Sequence, residues 1–509
     1  MTSQALGRIR SIAIVGGGTA GWIAASVLAR ALPGSGCKLT VVESAEIGTV
    51  GVGEATIPPF IDLLRFLGVD LGDFVRHTGS TYKLGIKFND WRRGDDSYWH
   101  PFGGCGAPIN RRPFSHAWHK AKAEGAQLAL RDFSLCTALG EAGRFRFPDP
   151  TAGGPLSELK FALHFDASLV AKYLRAYAEA LGVTRLERTV ADVALRDDGF
   201  LDALVFSDGT QLQADLFIDC SGFRGVLIEQ ALKTGYVDWS DWLPCDRAVA
   251  MPTALDGPRP PYTQAFARPA GWRWSIPLQH RVGNGYVYCS ADLSDQAATD
   301  DLVAQTGGKA LAEPRLLRFT AGRRKLFWNR NCVALGLASG FLEPLESTSI
   351  QLVISGVYNL LDHFPDRSFD PANIAVYNAE LTEEIERIRD FIVLHYVLTE
   401  REDTPFWARM KALGQSDRAG GLPDTLAQRL ETYRATGRIK PRPGELFTDL
   451  SWFYVLEGMG TTPRAYDPLM DVVPSERLGD ILGRLSAETA AALRTAPSHD
   501  SHFARPAAA

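Results

Sequence analysis

The sequence predicts a mixed α/β fold that ends in a helical region. Strand and helix patterns alternate up to about residue 360, and a glycine-rich turn joins the first predicted strand to the first helix. Beyond Phe369 the pattern becomes helical, with one long helix in AELTEEIERIRDFIVLHYVL. We therefore expect a core over residues 1–365, a helical region over 366–497 packed on that core, and a disordered tail over 498–509.

The composition of the chain argues against several classes of function. The chain has 509 residues, 45% of them hydrophobic and 22% charged, with a net charge of -5 and no run of lysines or arginines. These values predict a globular protein and argue against nucleic acid or an anionic membrane as a partner. The N-terminus lacks a signal-peptide core and no apolar window reaches spanning length, so we expect a cytoplasmic protein. Seven isolated cysteines without a C-x-x-C pair predict thiols in a reducing compartment and no metal site.

The first motif is Gly16-x-Gly18-x-x-Gly21, which lies between a predicted buried strand at 12–15 and a predicted helix at 20–30. Glycines at these positions permit a tight turn, the approach of backbone to a pyrophosphate, and close packing of helix on strand. The start of the helix adds N–H groups and a partial positive charge. The pattern predicts a dinucleotide-binding turn.

FAD and NAD share this fingerprint, which includes a downstream acid, and two later segments favour FAD over NAD as the dinucleotide. KLTVVE ends at Glu43, at the distance expected for the acid that binds the ribose. DLFIDCSGFRG (215–225) and NCVALGLASGF (331–341) are predicted strands that run into turns of small residues, which suit contact with an extended cofactor. Each is also compatible with an ordinary strand and turn. No second glycine fingerprint for a nicotinamide cofactor is present in the sequence.

Four stretches together resemble the flavin-dependent halogenases of the tryptophan halogenase family. They are GVGEATIP (51–58), STYKLGIKF (80–88), GWRWSIP (271–277) and EPLEST (343–348), and the resemblance extends from the first strand to roughly Trp407. The W-x-W-x-I-P pattern is the part that separates this family from flavin hydroxylases with the same cofactor fold. The resemblance implies a Rossmann-type FAD-binding domain of the flavin monooxygenase kind, an inserted β-sheet substrate region and a C-terminal helical part.

The resemblance also implies a reaction. Hypohalous acid would form from oxygen, chloride or bromide, and reduced FAD that a separate flavin reductase supplies. This acid would halogenate an electron-rich arene, expected to be an indole. The enzyme is expected to be a monomer or a homodimer. The two alternatives are an FAD-dependent aromatic hydroxylase or monooxygenase, and a flavin-binding protein without catalysis. Free tryptophan is a less expected substrate than a smaller indole.

Lys83 matches the family's essential lysine. As an ammonium it would hydrogen-bond hypohalous acid, and as a neutral amine it would be halogenated at nitrogen; the sequence leaves both open. An exposed surface charge is the ordinary alternative. One strand over Tyr82–Asn89 would place Lys83 and Lys87 on the same face, so alternation does not distinguish them.

Glu346 matches the family's second catalytic group, which can accept the proton lost from the ring. An acid that begins a helix is the alternative, because a helix is predicted from about Ser349. The resemblance places halide contacts at Thr348 and Ser349. Family members commonly have glycine at the second position, and serine resists backbone angles that glycine adopts, so we expect a different halide pocket.

The remaining site residues are also implied by the resemblance. They form an aromatic pair that borders the substrate ring, a tryptophan-lined passage between flavin and substrate, and the SWFYVLEGMG stretch with Trp452, Phe453, Tyr454 and Glu457. For each of these three groups, packing in the hydrophobic core is the alternative role. The predicted contacts are: with the cofactor, Gly16, Gly18, Thr19, Ala20, Gly21, Glu43, Gly53, Glu54, Ala55, Gly336 and Leu337; with the substrate, His100, Phe102 and Tyr454; along the passage, Trp272, Trp274, Ile276 and Pro277.

Overall fold

The computed structural model describes residues 7–44, 53–415, 421–440 and 442–503, and over these ranges the fold is the predicted mixed α/β one. The strands are β1 Ser11–Val15, β2 Lys38–Glu43, β3 Gly53–Ala55, β4 Thr81–Lys83, β5 Gly85–Asn89, β6 Ser97–Pro101, β7 Ala162–Asp166, β8 Thr184–Glu187, β9 Val190–Leu195, β10 Leu201–Phe206, β11 Gln211–Gln213, β12 Leu216–Asp219, β13 Tyr236–Asp238, β14 Arg247–Thr253, β15 Thr263–Arg268, β16 Gly271–Pro277, β17 Val282–Tyr288, β18 Arg315–Arg318, β19 Gly322–Arg324, β20 Trp328–Asn329, β21 Cys332–Ala334 and β22 Gly340–Phe341.

Beyond Phe369 the described chain forms helices and no named strand, as the sequence predicts. The helices of both parts are α1 Thr19–Ala31, α2 Pro59–Leu67, α3 Leu71–Thr78, α4 Phe114–Ala123, α5 Leu135–Glu141, α6 Gly154–Ser157, α7 Ala167–Ala180, α8 Asp295–Gln305, α9 Ser349–Asp362, α10 Pro371–Val397, α11 Pro405–Gly414, α12 Asp424–Thr436, α13 Asp449–Gly458 and α14 Ser475–Arg494. Among the described helices, none combines the length and the apolar character needed to cross a bilayer.

The chain forms two compact units that alternate along the sequence. The first unit takes Met1–Ser80, Phe165–Asp246 and Arg318–Glu386, and the second takes Thr81–His164, Arg247–Leu317 and Arg387–Ala509. The predicted boundary between residues 365 and 366 stays a prediction.

The first unit is built on a six-stranded sheet in the order β20-β21-β12-β1-β2-β8. Strand β1 pairs in parallel with β2 and β12, and β12 pairs in parallel with β21. Their apolar residues are almost fully buried, as expected for central parallel strands. Because the four strands run the same way, the turns that follow them lie at one edge of the sheet, where α/β folds bind ligands.

Helix α7 illustrates how the sequence sets helix boundaries in this unit. It begins after Asp166, whose carboxylate accepts hydrogen bonds from the backbone N–H of Ser168 and Leu169. Its apolar positions pack against α1, which has buried residues along most of its length.

The second unit contains the predicted inserted sheet, with seven strands in the order β18-β14-β17-β16-β15-β5-β6. Strands β14 to β17 pair antiparallel, and β15 pairs in parallel with β5. The C-terminal helices bring a second hydrophobic cluster, in which Phe453 and Tyr454 of α13 pack with Trp118 of α4 and Leu478 of α14.

The prediction of one strand over Tyr82–Asn89 is wrong. The strand is interrupted at Leu84, whose N–H donates to the carbonyl of Pro261 at 2.7 Å and whose carbonyl accepts from the N–H of Phe102. Strands β4 and β5 therefore belong to different sheets. Lys83 is fully buried while Lys87 is half-buried, so the expected common face does not exist.

The prediction of a disordered tail is also wrong for residues 498–503. His499–His502 forms a 3₁₀ turn, because the backbone N–H of His499 bonds to the carbonyl of Gly143 and its side chain is fully buried. Residues 504–509 lie outside the described part of the chain.

Candidate functional site

Two glycines of the Gly16-x-Gly18-x-x-Gly21 turn are required by close contacts with the protein's own backbone. Gly16 has φ of 122°, and a Cβ there would lie 2.1 Å from the carbonyl oxygen of Cys220. A Cβ on Gly21 would lie 1.9 Å from the carbonyl oxygen of Gly16. Any side chain at these two positions would therefore collide with backbone.

Gly18 differs, because the surrounding protein does not require a glycine there. Its φ of -80° suits any residue, and a Cβ would meet no atom of the described chain within 4 Å apart from its neighbours. Gly18 is also the N-cap of α1, which has no side-chain cap in the described part of the chain. An open space beside uncapped helix amides fits a pyrophosphate, which in dinucleotide-binding turns approaches the backbone at the second glycine.

We predict that Gly18→Ala and Gly21→Ala separate these two roles. Gly18→Ala should change the free energy of unfolding by less than about 1 kcal/mol, because the backbone conformation is allowed to alanine. It should weaken FAD binding by about tenfold or more, since the methyl group fills the space the pyrophosphate would need. Gly21→Ala should destabilise the fold by about 3 kcal/mol through the collision with Gly16. Urea unfolding and FAD titration by fluorescence measure both, and normal FAD affinity in Gly18→Ala would contradict the assignment.

The second predicted cofactor turn lies beside the first. Gly336 has φ of 62°, and a Cβ on it would lie 2.9 Å from Cβ of Ala20 in α1. Gly336 and Leu337 form a short 3₁₀ turn after β21. Two segments more than 300 residues apart in sequence thus meet at one edge of the six-stranded sheet. Thr19 is engaged already, because its hydroxyl donates to the carbonyl of Ala167 at 3.3 Å.

The acidic residues predicted to contact the cofactor have other charged neighbours. Glu43 ends β2 and forms an ion pair with Arg185 of β8, a partner that the sequence does not indicate. Glu54 lies in β3, where burial and then the charge of Asp166 raise the pKa of the Glu54 carboxyl to about 7. The contacts of both with the cofactor, like those of Gly53 and Ala55, stay predictions.

Lys83 is a buried cation on a short edge strand. It ends β4, which pairs antiparallel with β7 in the register Lys83 to Ala162. The side chain is fully buried, so the alternative of an exposed surface charge is excluded. Its Nζ lies 5.2 Å from the ring centroid of Phe102, one of the predicted substrate residues. This distance is within the range of a cation–π interaction, which favours the ammonium form.

A directed chain of hydrogen bonds holds β4 in place. Oγ1 of Thr81 lies 2.6 Å from the carbonyl oxygen of Pro277 and 3.0 Å from Nδ1 of His164. Because a carbonyl only accepts, Thr81 donates to Pro277 and accepts from His164, whose Nε2 then accepts from Thr263 at 2.9 Å. Burial, then the charge of Lys83, lowers the pKa of His164, so this imidazole is neutral. The chain joins the lysine stretch directly to the end of GWRWSIP.

The aromatic residues predicted near the substrate divide between two regions. His100 is buried in β6, with its ring centroid 5.4 Å from that of Phe391 and 5.9 Å from that of Phe447. Tyr454 instead lies in the hydrophobic cluster of α4, α13 and α14. Within SWFYVLEGMG, Glu457 accepts hydrogen bonds from Nε1 of Trp118 and from Nζ of Lys122, and Phe453 and Tyr454 belong to the same cluster. Those contacts favour packing, and the substrate role of Tyr454 stays a prediction.

Three of the four residues predicted to line the passage share one face of β16, and the fourth, Pro277, ends the strand on the other face. Trp272, Trp274 and Ile276 alternate with residues of the opposite face, and all three are at least nine-tenths buried. The two indole centroids are 6.0 Å apart, and Trp272 also packs on Trp91. A Cβ on Gly285 would collide with the ring of Trp274, which shows that this indole lies flat across the neighbouring strand.

The EPLEST stretch is a buried polar turn in the first unit. Pro344–Glu346 is a 3₁₀ turn that leads into α9, and Glu343, Glu346 and Thr348 are each 1% exposed or less. Among the described residues, none hydrogen-bonds Oγ1 of Thr348, and Thr348 makes no side-chain cap bond to α9. A buried hydroxyl without a partner at a helix N-terminus provides donors for an anion.

The expectation that position 349 needs backbone angles which serine resists is wrong. The left-handed residue of this turn is Ser347, with φ of 58°, while Ser349 is the first helical residue of α9. Serine adopts helical angles readily, so the backbone does not favour glycine at 349. What distinguishes this position is the half-buried hydroxymethyl group beside Thr348.

Comparison with known proteins identifies the family. The sequence model of the tryptophan halogenase family matches residues 11–475. The chain belongs to the tryptophan halogenase family. It is 34% identical to tryptophan 7-halogenase RebH of Lentzea aerocolonigenes, covering 97% of this chain and 98% of that one, and 37% identical to tryptophan 6-halogenase SttH of Streptomyces toxytricini, covering 83% of each.

Solved structures of this halogenase family give the same result. The flavin-dependent halogenase BrvH of Brevundimonas sp. BAL3 matches with a TM-score of 0.93 and 42% identity, over 97% of this chain and 99% of that one. Xcc4156 of Xanthomonas campestris, also a flavin-dependent halogenase, matches with a TM-score of 0.92 and 42% identity, over 97% and 98%. The protein is therefore an enzyme, and membership of this family implies FAD as its cofactor.

Several residues around the halogenase site were not found from the sequence. His164, Thr81 and Thr263 position the lysine strand, but each looks like an isolated polar residue in an apolar segment. The histidine in ALHFDA lies in β7, where a buried imidazole needs partners on both nitrogens. That need is the one signal that indicated a network, and it does not name the partners.

Proposed function

We propose that this protein is an FADH2-dependent halogenase that uses oxygen and chloride or bromide to halogenate an electron-rich arene, with an indole as the substrate class. The observation that carries the proposal is the full burial of Lys83 beside Phe102, in a chain that belongs to the tryptophan halogenase family over residues 11–475. The named relatives act on tryptophan. Reduced FAD, when bound, would supply two of the four electrons that oxygen takes up; halide gives up the other two and becomes hypohalous acid, and the second oxygen atom becomes water.

Lys83 activates the oxidant in this proposal. Its ammonium donates a hydrogen bond to the oxygen of hypohalous acid, which draws electron density from the halogen and makes it more electrophilic. The ring carbon then forms a bond to the halogen and the halogen–oxygen bond breaks. The oxygen leaves as water with a proton from the Lys83 ammonium, and Lys83 regains a proton through solvent when Glu346 releases the proton it takes from the ring. The cation–π contact with Phe102 supports an ammonium rather than a neutral amine.

Glu346 removes the proton from the halogenated ring in this proposal. Halogen replaces hydrogen, so the ring carbon must lose one proton, and a carboxylate is a suitable acceptor. Glu346 is 1% exposed, which keeps bulk water away from its carboxylate. Thr348 and Ser349 bind the halide through the hydroxyl of Thr348 and the amides that begin α9.

The remaining residues hold the reactants and separate their sites. Gly16, Gly18, Gly21 and Gly336 form the cradle for FAD, and Trp272 and Trp274 shield the flavin from the arene. His100 and Phe102 flank the aromatic ring of the substrate. The electrons come from a separate flavin reductase, and the active species is a monomer or homodimer in the cytoplasm.

A coupled assay tests the proposal. The purified chain is supplied with a flavin reductase, NADH, FAD, oxygen, indole and an equal mixture of chloride and bromide, and products are examined by mass spectrometry for halogen isotope patterns. A halogenated indole is expected. Hydroxylated indole without halogen would indicate the aromatic hydroxylase instead, and no product from a wide panel of arenes would contradict an enzymatic role in halogenation.

A further inference from the structure

The C-terminal turn, residues 498–503, packs directly against the strand that carries Lys83. Nε2 of His499 lies 3.2 Å from the backbone nitrogen of Tyr82, the residue before Lys83, across 417 positions of sequence. Nδ1 of His499 lies 2.7 Å from the carbonyl oxygen of Arg259. The imidazole is fully buried, so these contacts are sheltered from water.

The two contacts fix the tautomer of His499. A backbone amide only donates and a backbone carbonyl only accepts, so Nε2 must accept from Tyr82 and Nδ1 must carry the proton. Burial lowers the pKa of His499 to about 4. The charge of Asp500 and the hydrogen bond to the carbonyl of Arg259 raise this pKa, while the charges of His502 and Arg259 lower it further. The imidazole is therefore neutral at physiological pH, and the bond to Tyr82 is intact.

Other contacts anchor the turn independently of His499. Asp500 forms a salt bridge with Arg259 at 2.7 Å, and Arg259 donates to the carbonyl of Gln279. The Tyr82 ring stacks between two aromatic rings, with centroids 4.3 Å from Phe145 and 5.5 Å from Phe503. The turn is thus held firmly enough to act as a support for β4.

We propose that the C-terminal turn positions the catalytic lysine, with His499 as the positioning residue that fixes the peptide between Thr81 and Tyr82, directly before Lys83. Strand β4 has three residues and lies at the edge of its sheet, with β7 as its pairing strand. Pairing with β7 restrains one side of β4, and His499 binds a backbone amide of the same strand. This inference rests on the role of Lys83 in halogenation given above.

The expected effect follows from the geometry that catalysis needs. A displacement of about 1 Å in a reacting group costs about 10²-fold in rate. Loss of the His499 bond should let β4 shift by a fraction of that distance. We expect the number of halogenated products formed per reduced FAD oxidised to fall by about tenfold, with kcat lowered and KM for the arene little changed.

The experiment compares four full-length variants with the wild type. His499→Leu removes both nitrogens at similar volume, and His499→Asn keeps a polar group too short to reach the Tyr82 amide. His499→Gln places an amide oxygen near the position of Nε2 and should restore the bond. Ser501→Ala is the matched control, because the Ser501 hydroxyl bonds within the turn, to the carbonyl of Ser498. The measurements are product per flavin oxidised and hydrogen exchange of the peptide that contains Tyr82.

In the leucine and asparagine variants, the Tyr82 amide should exchange faster and the yield per flavin should fall, while the glutamine and Ser501→Ala variants should match the wild type. The asparagine variant gives the same test if leucine prevents folding. Wild-type yield in His499→Asn, or unchanged Tyr82 exchange, would overturn the proposal. Failure of the wild type to halogenate any arene would instead overturn the proposed function, while faster exchange in the variants would still support the structural role of His499.

Discussion

Lys83→Met is expected to lower the yield of halogenated product by about 10²-fold or more while reduced flavin continues to be oxidised by oxygen. Methionine keeps most of the volume of the buried stem and removes the ammonium that activates hypohalous acid. The fold should survive, because exchanging a buried charge for an apolar group of similar size is often neutral or stabilising. Mass spectrometry of the product and the rate of flavin oxidation, measured in one reaction, test both parts.

The matched control is Lys87→Met. Lys87 follows Lys83 by four positions, but it lies in β5, which belongs to another sheet, and its side chain is half-buried. It should retain wild-type yield. Lys83→Met activity within threefold of the wild type would contradict the role of Lys83, and an equal loss in both variants would indicate a general effect of removing positive charge.

The cofactor half of the fold could be predicted from the sequence because its signals are local. A buried strand, three glycines and a helix lie within about 20 residues, and the structure has the predicted strand, turn and helix there. Gly16 and Gly21 meet backbone, whereas Gly18 faces open space. The start of α9 at Ser349 was likewise predictable, because its apolar residues recur at helical spacing.

The surroundings of Lys83 could not be predicted, because tertiary contacts determine them. The alternating pattern of a strand continues through Leu84 in the sequence. In the structure the Leu84 amide donates a hydrogen bond to the carbonyl of Pro261, and the strand ends there. The C-terminal segment is polar and rich in small residues, which is typical of a tail. Its histidine is buried only because Arg259 and Tyr82 supply partners for both nitrogens, and neither is near it in sequence.

One tertiary contact also explains why two distant motifs occur together. The Thr81 hydroxyl donates to the carbonyl of Pro277 across 196 residues, so the lysine stretch and the W-x-W-x-I-P stretch form one hydrogen-bonded structure. Residues that appear separately in the sequence as a catalytic group and an aromatic wall are held in a fixed relation. The Thr81 hydroxyl, which also accepts from the imidazole of His164, is thus a direct link between Pro277 and β4.

Between pH 7.5 and 5, the two units are expected to change stability in opposite directions. In the second unit, burial lowers the pKa of His119 to about 3, that of His499 to about 4, and that of His164 well below its ordinary value. The unfolded chain binds protons at these histidines near pH 6.5 and the folded unit does not. The second unit should therefore lose about 2 kcal/mol of stability per histidine as the pH falls to 5.

The first unit should respond in the other direction. Burial, with Asp166 nearby, raises the pKa of Glu54 to about 7, and burial raises that of Glu384. The folded unit thus holds a proton on Glu54 at a pH where the unfolded chain has lost it. Its stability should rise by about 2 kcal/mol from Glu54 alone as the pH falls from 7.5 to 5.

Hydrogen exchange resolved by peptide, corrected for the intrinsic effect of pH on exchange, separates the two responses. Peptides from β1 and α1 report on the first unit, and peptides from β16 and α4 on the second. His499→Gln should reduce the acid loss of the second unit by about 2 kcal/mol, and Glu54→Gln should remove most of the gain in the first. A change of the same sign in both units would show that the buried imidazoles and Glu54 do not control their pH dependence, because these groups release and bind protons in opposite senses on folding.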